Sequence, residues 1–548
     1  MVKLFSVNEM KSLEKEANET GLTYEQMMEN AGQGIAGEIN IAYSHLSNKN
    51  IFAVVGSGNN GGDALVALSH LAQCGWSTSA YIVHTRTEDD PLITRLIEKG
   101  GQIINHAEDN KNRHLTQLLT SNSVLIDGVL GTGIKLPIKG EIAQILSFVK
   151  NHQVTAANKL HIVAVDCPSG VDCDSGEAAI ETIPADITVT MTGIKLGLIK
   201  FPAASLAGEL RIASIGAIEK LSEYVKNNKT ILTGELITRY LPNRPLDAHK
   251  GTFGTAFIIA GSVNYTGAAL LAGLAAYRVG SGLVTMAVAA PLHEALAGHF
   301  PEATWVLLPH EMGVISADAA QVVRQNIGRA TAILIGPGFG IEATTKEFLY
   351  RLLSEGNTRT KRKVGFIDDS YDRAKGNQIM LPLVIDADGL KLISKIEHWE
   401  NLLPKQSILT PHPGEMAILT GLSTDEIQAD RIEIAKHYAE HWGHVVVLKG
   451  AFTVIASPDN QIAIVPVASP ALARAGTGDV LAGLIIGLRA QGLDAYQAAC
   501  AGAWIHANAG LLAAKRLGNT ASVIASDVLN AVPQVMSDLI LLIKPSGN

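Results

Sequence analysis

Ile51-Phe-Ala-Val-Val-Gly56-Ser-Gly-Asn59-Asn60-Gly-Gly-Asp63-Ala-Leu-Val-Ala-Leu68 decides the fold of the first half of this chain. Five apolar residues rich in β-formers run into glycines, and an Ala/Leu pattern of helical period follows. A strand, a tight turn and a helix are the opening of a parallel α/β unit. The glycines let backbone approach a ligand, and the helix N-terminus beyond them favours anions. Gly56, Gly58 and Gly61 satisfy a dinucleotide fingerprint, which alone is weak. The next strand run, 79–84, ends in His84-Thr-Arg86, without the acidic ribose ligand that fingerprint requires. Oxygen-bearing Asn59, Asn60 and Asp63 in the turn suit a cation or sugar as well as phosphate.

Working outward, strand-type runs recur at 124–126, 160–165 and 187–190, the second of these followed by Asp166 and the first by Asp127. A helical stretch over 6–43 precedes them. The pattern turns polar around 219–243, with Lys226, Asn227, Asn228 and Lys229 in a row and Pro242 and Pro245 beyond. A second α/β unit then restarts with strand runs at 256–260, 332–335, 383–385, 408–409 and 445–448. The fold expected is α/β throughout: an N-terminal Rossmann-like parallel-sheet domain over 1–225 and a C-terminal α/β domain over 231–545. The charged, glycine-containing stretch 355–378 reads as a surface insertion.

Composition narrows the function classes. The chain has 548 residues, 47% hydrophobic and 18% charged, with a formal net charge of −8. It is too long for one ordinary domain and too apolar for disorder. The acidic balance argues against nucleic acid. The apolar stretch 266–291 is broken by Arg278 and glycines, so it reads as helix, turn and strand and no membrane partner is expected. Cys74, Cys167, Cys173 and Cys500 form no C-x-x-C pair and read as reduced, inert thiols. The expected location is the cytoplasm, and the density of apolar helices predicts a homo-oligomer.

Three motifs in the first half resemble the NAD(P)H-hydrate epimerases: Asn59-Asn60-Gly61-Gly62-Asp63, the glycine loop from Asp127 through Gly131 and Gly133, and Asp166-Cys-Pro168-Ser169-Gly170. The resemblance implies that Asn60, Asp127 and Ser169 supply oxygens to potassium. It also implies that Asn59, Asn60, Gly61, Gly62 and Asp63, with Gly131, Thr132, Gly133, Ile134, Lys135, Leu136 and Pro137, cradle the hydrate, and that Asp166 is the acid/base at its ring. Ala64 stands where the family usually has glycine. Taken singly, Asp127 and Asp166 also fit helix caps, and the asparagine pair fits a turn.

In the second half, Gly476-Thr477-Gly478-Asp479 opens an apolar helix, placing amides and a carboxylate where a phosphoryl group can be held and a hydroxyl deprotonated. No Walker A sequence is present. The motif resembles the ribokinase-like kinases. Phe253-Gly254, Ala260-Gly261-Ser262, Gly336-Pro-Gly338-Phe-Gly340, Asp386-Ala-Asp388, Thr410-Pro-His412-Pro-Gly-Glu415 and Lys449-Gly450-Ala451-Phe452-Thr453 narrow the resemblance to the NAD(P)H-hydrate dehydratases. That implies Asp479 as catalytic base and a hydrate contacted by Ala269, Gly338, Gly340, His412 and Asp479. It implies ADP as co-substrate, bound by Lys449 to Thr453 and by Gly476, Thr477 and Gly478, and magnesium placed by Glu415 through water. Ala475 and Lys391 depart from the family pattern. The motif itself leaves ADP and ATP open. His412 and Glu415 also fit a metal pair or plain loop packing, and His506, in an apolar helix, reads as a core histidine. The alternatives are a ribokinase-like kinase of a small alcohol, with a non-catalytic nucleotide-binding N-terminal module, and, behind it, a nicotinamide-dependent dehydrogenase.

Overall fold

A computed structural model describes residues 2–84, 86, 89–155, 160–354 and 381–543; the 355–378 stretch therefore lies outside the described residues. The chain divides into two compact units, Met1–Lys229 and Thr230–Asn548.

In the first unit seven strands run parallel in the order Gln102–Asn105, Ser77–Ile82, Asn50–Val55, Val124–Gly128, His161–Val165, Ile187–Met191 and Glu209–Ala213. Period-two alternation sends Ile51, Ala53 and Val55 into one core and Phe52 and Val54 into the other, so both faces of the sheet are covered. Helices Val7–Glu19, Tyr24–Tyr43 and Asn59–Gln73 contribute to the first core, and Arg113–Ser121 and Gly140–Thr155 to the second. The stretch 6–43 is two helices, each opened by a capping box, Ser6 with Glu9 and Thr23 with Gln26. The second strand starts two residues earlier than its apolar run, because polar Ser77 and Thr78 still pair with Asn50 and Ile51. The short strands Val2–Phe5 and Ile194–Lys195, which pair with each other, carry too few residues to register as a sequence pattern.

The sheet of the second unit runs Thr304–Leu308, Leu283–Ala289, Thr255–Ile259, Ala332–Ile335, Leu383–Ile385, Ile408–Leu409 and Val445–Leu448 in parallel. It is completed by antiparallel Val454–Ala456 and Ile462–Ile464. The apolar stretch 266–291 is helix Thr266–Arg278 and strand Leu283–Ala289. Helix Thr477–Ala490 lies against helix Thr266–Arg278 through glycine: a Cβ at Gly483 would stand 2.3 Å from the Ala272 carbonyl oxygen. Among the described residues no helix is long and apolar enough to cross a membrane.

Candidate functional site

In both units the motifs leave the carboxyl ends of neighbouring strands, where parallel α/β sheets present their loops to ligands. Asn50–Val55, Val124–Gly128 and His161–Val165 are adjacent in the first sheet, so three motifs distant in sequence meet in space. Asn60 ties them together: its Nδ2 donates to the Val165 carbonyl at 2.7 Å and the Leu130 carbonyl at 3.2 Å. Its Oδ1 faces Gly131, where a Cβ would stand 2.4 Å away, so glycine is required there.

Asp127 does not cap a helix. It accepts from the Ser169 amide at 2.8 Å and the Ser169 hydroxyl at 2.5 Å, while that hydroxyl accepts from the Leu130 amide at 2.8 Å. Burial raises its pKa against these bonds. No lysine, arginine or histidine among the described residues forms an ion pair with it. Asn60 Oδ1, the buried Asp127 carboxyl and Ser169 Oγ thus form an oxygen set with no lysine, arginine or histidine beside it among the described residues, which suits a monovalent cation.

Gly61 and Gly62 have packing reasons of their own. Added Cβ atoms would stand 2.1 Å from the Gly56 carbonyl oxygen and 2.7 Å from Met28 Sδ. Asn59 is exposed and Asn60 half-buried at the rim, and residues 131 to 137 form a half-exposed loop beside them. Arg86, standing where a plain Rossmann site has its acid, donates to the carbonyls of Gly56 at 2.8 Å and Gly58 at 3.3 Å and pairs with Asp90 at 2.6 Å. It braces the glycine turn.

Asp166 sits at φ 64°, a left-handed conformation that costs a non-glycine residue of order 1–3 kcal/mol and clusters at functional sites. Its Oδ1 accepts from Thr190 Oγ1 and the Met191 amide, each at 3.1 Å, and from Lys195 Nζ. Lys195 is fully buried and also donates to Thr190 Oγ1 at 2.9 Å and the Met191 carbonyl at 3.1 Å. The motif reading missed this lysine. A signal existed: a lone charge in the apolar run from Ile194 to Ile199 is a buried ion in search of a partner. It also missed Glu14, on helix Val7–Glu19, whose pKa is raised by burial and by Asp166. Burial, with the charges of Asp166 and Glu14, pushes the Asp63 carboxyl up to about 8. Cys167 and Cys173 are buried; a mutual contact and burial hold the Cys167 thiol well above its usual range, as inert thiols require.

In the second unit Lys449 is the hub. Its Nζ lies 2.8 Å from Asp386 Oδ1 and 3.6 Å from Glu415 Oε2. Burial works against its charge, but Asp386 and Glu415 outweigh that and raise its pKa. Thr410 donates to Asp386 at 2.6 Å. A Cβ at Gly478 would stand 3.7 Å from Lys449 Nζ, which places the lysine before the first turn of helix Thr477–Ala490. Gly476, at φ 88°, opens that helix without a side-chain cap, leaving amides for an anion. Asp479, in the same turn, is pushed up to about 7 by burial and by Asp386.

His412 and Glu415 form a capping box: the His412 amide donates to Glu415 at 2.9 Å, and His412 Nδ1 accepts from the amides of Gly414 at 3.0 Å and Glu415 at 3.3 Å. The capping box accounts for their spacing. Asp388 accepts from the Gly340 amide at 3.0 Å and from Lys391 at 2.9 Å, so the departure at Lys391 supplies an ion pair. Gly338, at φ 64°, lies against Tyr265 and Ala268, and Ala269 is buried beside Gly261.

A cleft of about 450 Å³ is lined by Lys449, Gly450, Ala451, Thr453, Thr477 and Gly478 among others. Phe452 at φ 52° and Gly476 shape its turns without lining it. Ala269, Gly338, Gly340 and Asp479 also lie outside its lining, whereas His412 belongs to it. His506 is buried, as a core histidine would be, but it forms part of the cleft wall. Its buried Nε2 has no hydrogen-bond partner among the described residues, and burial drives its pKa down to about 4.

Two parallel sheets, each presenting a buried aspartate and lysine at the carboxyl ends of its strands, define a two-site α/β enzyme. The family described as YjeF-related protein N-terminus matches residues 24–197, and the family described as NAD(P)H-hydrate dehydratase matches 256–534. The bifunctional NAD(P)H-hydrate repair enzyme Nnr of Moorella thermoacetica is 35% identical over 94% of this chain and 92% of its own length. That of Escherichia coli is 29% identical over 96% and 92%. A crystallised ADP/ATP-dependent NAD(P)H-hydrate dehydratase from Bacillus subtilis is 30% identical, covering 57% of this chain and 98% of its own, with a TM-score of 0.46. The chain belongs to the family of bifunctional NAD(P)H-hydrate repair enzymes.

Proposed function

We propose that the chain repairs hydrated nicotinamide nucleotides: residues 1–225 interconvert the two epimers of NAD(P)H-hydrate, and residues 231–545 dehydrate the S epimer to NAD(P)H at the expense of ADP, giving AMP and phosphate. The observation that carries the reading is the pairing of two aspartates with opposite needs. Asp166 is clamped by Lys195 and by two further donors on a single oxygen, leaving the other to a substrate. Asp479 is buried among carboxylates beside the Gly476–Gly478 amides.

In the second unit the hydrate's hydroxyl is phosphorylated and then eliminated as phosphate, which converts a poor leaving group into a good one. Asp479 takes the hydroxyl proton, and the amides of Gly476, Thr477 and Gly478 hold the charge that develops on the transferring group. Lys449, Gly450, Ala451, Phe452 and Thr453 hold the nucleotide, and Ala269, Gly338, Gly340 and His412 contact the hydrate. Glu415 and its acidic neighbours suit hydrated magnesium, which when bound neutralises phosphate charge.

In the first unit Asn59 to Asp63 and Gly131 to Pro137 hold the hydrate, and Asp166 exchanges the proton. Potassium fits the oxygens of Asn60, Asp127 and Ser169 and when bound supplies the positive charge that Asp127 lacks. The enzyme works in the cytoplasm as a homo-oligomer.

The test is the nucleotide stoichiometry. Purified protein given S-epimer hydrate, magnesium and ADP is expected to yield one AMP and one phosphate per dihydronicotinamide restored. Accumulation of a stable phosphorylated hydrate or alcohol would favour a kinase instead.

A further inference from the structure

We propose that Asp63 is the proton-donating acid of the epimerase site, working with Asp166 to open and reclose the hydrated ring; the inference rests on the epimerase reading above. Water added across an enamine double bond leaves its hydroxyl on the carbon bonded to the ring nitrogen. Inversion there needs no hydride chemistry. It needs one group that takes the hydroxyl proton and one that gives a proton to the nitrogen.

The first unit holds one of each. Asp166 carries three donors on Oδ1, Lys195 Nζ among them, and none of them occupies its second oxygen. Asp63, in the first turn of helix Asn59–Gln73, is 8% exposed, and no described group hydrogen-bonds its carboxyl. Its charged neighbours are Asp166, Glu14 and Lys195, and burial with the two acidic ones outweighs the lysine and pushes it up to about 8, which favours its protonated form. A buried carboxyl with no hydrogen-bond partner beside one clamped by a lysine gives one site an acid and a base together.

The step balances without a co-reactant. Asp166 takes the hydroxyl proton, the carbon–oxygen bond becomes a carbonyl, and the carbon–nitrogen bond breaks with its electron pair left on nitrogen. Nitrogen takes the proton of Asp63. Rotation about the bond to the aldehyde carbon presents its other face. Nitrogen attacks that face and returns its proton to Asp63, and the oxygen recovers its proton from Asp166. Both groups finish in the states in which they began.

Full-length protein is given a single epimer of NADH-hydrate, and inversion is read by chromatographic separation of the diastereomers. Asp63→Asn is expected to lower kcat for inversion about 100-fold or more, the scale of a lost acid, with KM within about threefold. Wild type in ¹⁸O-water is expected to invert the substrate faster than it takes up label, because the oxygen stays on carbon; this readout does not depend on how the variant folds. A kcat for Asp63→Asn within about threefold of wild type, or one solvent oxygen gained per inversion, would overturn the proposal while leaving the epimerase reading in place. No inversion by wild type would remove that reading itself.

Discussion

Lys195 reaches Asp166 across 29 residues of sequence and donates to the same carboxylate oxygen that takes Thr190 and the Met191 amide. Both side chains lie in the interior, so each charge depends on the other. Replacing Lys195 by Met removes the cation and strands the anion. Breaking one side of a buried pair costs about 3–5 kcal/mol. Lys195→Met is therefore expected to lose epimer interconversion and to lower the unfolding free energy, read from urea titration, by that amount. Asp166→Asn with Lys195→Met is expected to recover part of the stability and none of the activity.

Asp479 sets a pH dependence of stability with a defined sign. Its folded pKa is about 7, above the usual carboxylate value, so its contribution to stability is full at low pH and is lost as pH rises from about 4 through 7. Asparagine does not titrate. The Tm of Asp479→Asn minus that of wild type is expected to grow between pH 5 and pH 8, read by calorimetry, while dehydratase activity falls below detection. A difference that stays constant with pH would contradict the burial of a proton-bearing Asp479.

The same group predicts the pH–rate profile. A base must be ionised to act, so kcat/KM for dehydration is expected to rise with unit slope up to about pH 7 and then level. Initial rates at limiting hydrate, measured from pH 5.5 to 8.5, check this.

Among the described residues the buried Asp127 carboxyl takes hydrogen bonds from Ser169 and the Val129 amide and forms no ion pair. Potassium chloride is expected to raise the melting temperature of wild type by several degrees over N-methylglucamine chloride of equal ionic strength. Asp127→Asn is expected to melt at the same temperature in both salts. Equal melting of wild type in the two salts would remove the cation from the account.

His506 lies in the wall of the cleft proposed for the nucleotide, and its buried Nε2 has no hydrogen-bond partner among the described residues. Low basicity keeps the ring neutral, leaving that nitrogen free to accept a hydrogen bond from bound nucleotide. His506→Leu is expected to raise the KM for ADP about 3- to 10-fold, the worth of one hydrogen bond, with a smaller effect on kcat. Steady-state kinetics with ADP varied give the answer.

The strand–turn–helix units and the residues at strand ends were legible in the sequence because apolar periodicity and glycine turns are local signals. Asp127 and Asp166 each sit one step past an apolar run, and Asp479 follows the glycines that open an apolar helix. Lys195 and Glu14 were not, because what marks them is burial against residues distant in the chain. His506 was read as core from its apolar helix, correctly as to burial, but the cleft beside it is built by the turn from Lys449 to Thr453 and the Thr477 turn, which no helical pattern discloses. The antiparallel Val454–Ala456 and Ile462–Ile464 strands are three residues each, too short for alternation to show.

The most direct test is the recovery of dihydronicotinamide absorbance from a mixed-epimer NADH-hydrate preparation with potassium, magnesium and ADP. Wild type is expected to consume both epimers, Asp166→Ala to stall once the S epimer is gone, and Asp479→Ala to restore nothing while still interconverting the epimers. Full recovery by Asp166→Ala at the wild-type rate, or none by wild type with ADP or ATP, would contradict two activities seated on these two aspartates.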